Sequence, residues 1–127
     1  MRRNLLFLFA LVLPSTGCLV AAAAGAAGGV YATSRGAESV VEGSVDQIAS
    51  RAEAVMGEMG IVKQGESTED QGAKQVLKGT KDELDVTINI RRESPNTAKV
   101  EVTARKNLAE WDKDYAKEVV SRIVQKG

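Results

Sequence analysis

"ELDVTINIRRESPNTAKVEVTAR" runs from Glu83 to Arg105, and its spacing decides the fold. Leu84, Val86, Ile88 and Ile90 alternate with Asp85, Thr87, Asn89 and Arg91. Ala98, Val100, Val102 and Ala104 alternate with Lys99, Glu101, Thr103 and Arg105. A period of two marks strands with one buried face. "ESPNT", Glu93 to Thr97, joins the runs with Pro and Asn, both turn formers. The stretch therefore predicts a β-hairpin, apolar on one side and wet on the other.

Working back from the hairpin, "KQVLKGT" (Lys74–Thr80) and "IVKQ" (Ile61–Gln64) read as further strands. "GESTEDQG", Gly65 to Gly72, reads as a polar surface loop. "SVDQIASRAEAVMGEMG" before them reads as a helix. Ser44 and Gln47 have capping-box spacing. Asp46 suits the positive end of the helix dipole. Val45, Ile48, Ala49, Ala52, Val55, Met56 and Met59 share one stripe, and Gly60 is a natural stop. "AESVVEG" (Ala37–Gly43) reads as the first strand. After the hairpin, "NLAEWDKDYAKEVVSRIVQKG" reads as an amphipathic helix. Its stripe is Trp111, Tyr115, Ala116, Val119, Ile123 and Val124, with Leu108 in the lead-in.

The expected order is β-α-β-β-β-β-α. The expected fold class is α+β: a single antiparallel sheet of four to five strands with two helices packed on one face. Thr87, Asn89, Arg91, Lys99, Glu101, Thr103 and Arg105 should then line the other face.

The N-terminus reads as an address. Met1 to Asn4 is short and basic, and Leu5 to Leu13 is an unbroken apolar run. A small-residue site follows, completing the layout of a secretory signal peptide. The run is too short for a membrane span, which needs about 20 residues. "LPSTG", Leu13 to Gly17, spells a sortase motif but precedes the domain instead of following it. "KDEL", Lys81 to Leu84, is internal and carries no address. "STGC", Ser15 to Cys18, resembles the bacterial lipoprotein signal, although Ser15 stands where Leu is usual and Pro14 is atypical. The resemblance implies diacylglycerol on Cys18, cleavage before it and acylation of the new amine. Leu19 after the cysteine resembles outer-membrane sorting. The expected divisions are a signal peptide at 1–17, a lipidated Cys18 with an Ala/Gly tether at 18–36, and a domain at 37–127. Ala21, Gly25 and Gly29 also show small-xxx-small spacing, so the alternative is a membrane helix that packs as an oligomer. A cleaved, soluble periplasmic binding module is a further alternative.

This layout of cysteine, Ala/Gly tether and strand–helix–strands–helix domain resembles a domain-of-unknown-function family of small bacterial lipoproteins. The resemblance implies a lipid-anchored protein of the bacterial cell envelope, facing the periplasm, with no catalytic residues to carry over.

Composition narrows the chemistry. The chain has no histidine and one cysteine. It therefore lacks the commonest general base and metal ligand, and it has no thiolate cluster. Formal net charge is zero, and removing residues 1–17 takes Arg2 and Arg3, leaving 15 basic against 17 acidic residues, a net of −2. That is no footprint for nucleic acid. The acids of "ESTED", Glu66 to Asp70, lack EF-hand spacing and read as a solvated loop. No enzyme activity, cofactor or metal is expected. The expected partners are the membrane, through lipid, and an envelope protein or glycan.

Overall fold

A computed structural model describes residues 29–126. Cys18 and the expected signal peptide lie outside the described residues, as do Ala21 and Gly25 of the small-residue spacing. The elements are β1 (Tyr31–Ala32), β2 (Gly36–Glu42), α1 (Val45–Met59), β3 (Val62–Glu69), β4 (Lys74–Lys81), β5 (Leu84–Ser94), β6 (Thr97–Arg105) and α2 (Lys113–Gln125). The class is α+β. One open, wholly antiparallel sheet has the order β1-β2-β6-β5-β4-β3. It has six strands, not four to five.

The hairpin forms as its alternation demands. Ile88 faces Val102 and Ile90 faces Val100, and all four are fully buried. The turn is Pro95–Asn96, with a bulge between Arg92 and Ser94. β2 pairs with the outer side of β6, setting Ala37, Ser39 and Val41 against Val102, Val100 and Ala98.

Both helices lie on this apolar side. α1 is capped at both ends as its sequence predicts. The Ser44 hydroxyl accepts from Gln47 N–H at 3.2 Å, and the Gln47 carbonyl Oε1 accepts from Ser44 N–H at 3.0 Å. Gly60 ends the helix at φ 72°, a left-handed conformation that favours glycine. Its seven stripe residues, Val45 to Met59, are all buried. α1 crosses over β3, β4 and β5, α2 covers β2 and β6, and both helices feed one continuous core. An ion pair between Lys126 and Glu58 ties their ends together.

Two glycines permit close approach. A Cβ on Gly36 would lie 1.9 Å from the Val102 carbonyl oxygen, and one on Gly79 would lie 2.6 Å from Ile61. At Gly36 the obstacle is backbone, and at Gly79 it is chiefly the side chains of Ile61 and Met56, so a larger residue at either point would force its neighbours to shift.

Three readings are corrected. First, Gly65 to Glu69 is not loop but the second half of β3, which pairs with β4 through Glu69↔Lys74. β3 is an edge strand exposed along nearly its whole length, so it has no buried side to generate alternation. Only Asp70–Gly72 forms a 3-10 turn. Second, α2 begins at Lys113, and Trp111 is not in its stripe. The Asp112 carboxylate accepts from Tyr115 N–H at 3.0 Å and caps the helix there. Third, Tyr31–Ala32, assigned to the tether, forms β1 against Glu38 and Ala37. Leu108 is 89% exposed on the loop before α2.

Candidate functional site

The helices cover one side of the sheet and leave the other open. Strand register places on the open side Thr87 opposite Thr103, Asn89 opposite Glu101, Arg91 opposite Lys99, and Asp85 opposite Arg105. These are the polar positions expected from the alternation. β4 adds Lys74, Val76, Lys78 and Thr80 to the same side, and β2 adds Glu38 and Val40.

At one end, Trp111 stands on this open side. After β6 the chain folds back on itself, with Asn107 Oδ1 accepting from Ala109 N–H at 2.9 Å and Glu110 N–H at 3.0 Å. Trp111 then makes a lone antiparallel bridge with Arg105. Opposed residues share a face, so the indole joins Arg105 on the helix-free side. The Arg105 guanidinium lies 5.7 Å from the ring centroid and the Arg35 guanidinium 5.4 Å from it. Arg105 also donates to the Asn107 and Leu108 carbonyls at 3.1 and 3.3 Å. A shallow groove of about 350 Å³ runs from Trp111 past Thr103, Asp85 and Thr80 to Lys78.

At the other end, a second open groove of about 390 Å³ is lined by Lys74, Asn89, Arg91, Glu93, Lys99 and Glu101. Two of its cations are paired from the flanks: Lys74 with Glu69 at 3.0 Å and Lys99 with Glu38 at 3.3 Å. Sequence reasoning placed Arg91, Lys99 and Glu101 on this face but missed Lys74, whose strand lacks a clean alternation around Gly79. It also missed Trp111 and Arg35. The signal for Trp111 was Asp112, a helix-capping residue that puts Trp111 outside the helix.

The acidic stretch does not converge. Glu66 points to the helix side, where Lys63 bridges it to Glu53, the Lys63–Glu53 contact being 2.5 Å. These hydrogen bonds raise the Lys63 ammonium above its usual range and hold the Glu66 carboxyl below its own. Glu69 projects to the opposite side and pairs with Lys74. Among the described residues no cluster of acids, His or Cys could hold a metal ion. Among the described residues, too, no helix is long and apolar enough to cross a membrane.

Two hydroxyls in the helix-covered core have no hydrogen-bond partner among the described residues, Ser39 Oγ and Tyr115 Oη. Burial pushes the Tyr115 phenol above its usual pKa, and Glu118 adds to the effect. The Lys81 ammonium sits 5.7 Å from the Tyr115 ring and donates to the Met59 carbonyl at 2.7 Å. This corner closes the end of α1 and belongs to the packing.

No protein-family model matches the chain, and no curated protein sequence matches it.

Proposed function

We propose that this is a lipid-anchored protein of the bacterial cell envelope, held through Cys18 at the outer membrane and facing the periplasm. Its domain is a non-enzymatic binding module. The observation that supports the binding role is the helix-free side of the sheet. Open sheet faces are normally covered or evenly wet. This one carries two shallow grooves, an indole flanked by two guanidiniums and a band of lysine and arginine. Shallow, open, polar grooves suit recognition of an extended or multi-hydroxyl ligand rather than enclosure of a reaction. The absence of histidine from the whole chain points the same way.

The anchor is supported by the N-terminal residues alone: Arg2 and Arg3, the apolar run Leu5 to Leu13, and Gly17 before Cys18. Two or three acyl chains would hold the protein firmly, since each buried CH₂ contributes about 0.8 kcal/mol and one chain alone is marginal. The test is the mass of the N-terminal peptide from the membrane fraction, wild type beside Cys18→Ala. A peptide beginning at Cys18 with added acyl mass is the expected result. Retained residues 1–17, or an unmodified start among Ala21 to Ala24, would overturn the anchor.

A further inference from the structure

The helix-free face carries an arrangement that works against its own stability. Lys74 is directly opposite Arg91, and Arg91 is directly opposite Lys99, so three cations form one row across β4, β5 and β6. Adjacent strands are about 4.8 Å apart. Like charges set directly opposite one another destabilise a sheet. The next row repeats the pattern with the other sign, Glu101 opposite Glu38. Carboxylates on the flanks relieve Lys74 and Lys99. Arg91, in the centre, is exposed and has no ion pair among the described residues. Glu93 and Glu101 line the same groove but neither forms an ion pair with Arg91, and a like-charge row kept at the centre of a sheet marks a position held for function.

The groove over this row states the ligand chemistry. Its cations call for an anionic group with several oxygens, and an arginine flanked by ammoniums fits a phosphate. Its carboxylates, Glu93 and Glu101, would repel a plain polyanion but accept hydrogen bonds from hydroxyls. Asn89 can do both. A compact ligand with one phosphate and several hydroxyls satisfies every group lining the groove.

We propose that this groove binds the phosphate-bearing end of a phosphorylated saccharide. The phosphate lies over Arg91 between Lys74 and Lys99, and sugar hydroxyls donate to Glu93 and Glu101. This deepens the binding-module reading and rests on it.

The test is a chemical-shift titration of the isotope-labelled full chain in detergent micelles. The probes are glucose 1-phosphate, inorganic phosphate and glucose. Glucose 1-phosphate should shift amides around Lys74, Arg91 and Lys99, and should bind about tenfold more tightly than inorganic phosphate, the worth of a few hydroxyl contacts. Glucose alone should leave the spectrum unchanged. Arg91→Glu should abolish the shifts without lowering the thermal midpoint, because it ends the like-charge row. Arg122→Glu, on the exposed side of α2, should bind like wild type. If Arg91→Glu disturbs the fold, Arg91→Thr reports the same loss with a strand-forming residue. The assignment is overturned if glucose 1-phosphate shifts nothing, if inorganic phosphate binds as tightly, or if removing Arg91 changes nothing. Shifts confined to another surface would overturn this site but keep the binding reading. The anchor, read by peptide mass, is independent of each outcome.

Discussion

Ile88 and Asn89 are neighbours in β5, yet they belong to different parts of the molecule. Ile88 is fully buried under α1, in a core that runs unbroken from Ala37 to Ile123. Asn89 lines an open groove on the other side. On the helix side the middle of β5 and β6 is apolar throughout, from Val86, Ile88 and Ile90 to Val100 and Val102, because a slip of one residue would bury a charge. On the free side the register carries no such cost. Side chains there can be arranged for a ligand, even with like charges in a row. The contrast places stability on one surface and leaves the other for the proposed recognition.

Substitutions sort along that division. The largest effect is expected at Gly36, where a methyl would strike the Val102 carbonyl oxygen and force β2 from β6. Gly36→Ala should cost more than about 4 kcal/mol in denaturant unfolding, or prevent folding. Next come the neighbours in β5. Ile88→Ala should cost about 2–5 kcal/mol, and Asn89→Ala less than about 0.5 kcal/mol. Equal losses would break the division between the faces. Trp111→Ala is intermediate, because it removes two cation–π contacts of about 0.5–1 kcal/mol each on a half-exposed ring. A loss above about 3 kcal/mol would make Trp111 core after all.

The smallest effect is at Tyr115. Its hydroxyl is enclosed without a partner, so Tyr115→Phe should leave neutral-pH stability within about 0.5 kcal/mol or raise it. The difference should appear in alkali. Burial raises the folded-state pKa of the phenol, so the unfolded chain ionises first as pH climbs past its ordinary value near 10. The wild type should lose stability there, while Tyr115→Phe should lose less. Parallel curves through that range would contradict an enclosed phenol.

The sequence was most legible where burial is one-sided. The β5–β6 alternation and the α1 stripe each answer to a single buried surface, so their residues emerged with the correct facing. β3 was illegible beyond Gln64 because an edge strand exposed on both sides has no period to read. Trp111 was misplaced because indole at helical spacing looks like core, and the capping carboxylate of Asp112 had to be weighed against it. β1 is too short to show any pattern. The free face itself was visible as the polar half of the alternation. The cation row was not, because opposing Lys74 to Arg91 requires the offset between β4 and β5, which only pairing defines.

The most direct test of the division is the thermal midpoint of Arg91→Thr, measured in the full chain without ligand. Arg91 stands between two cations and pairs with no acid among the described residues. If the free face serves recognition, removing the charge should leave the midpoint unchanged or raise it by a few degrees, since 1 kcal/mol is worth about 4–8 °C in a domain this size. A fall of more than about 4 °C would mean that Arg91 holds the fold together, and would contradict the account.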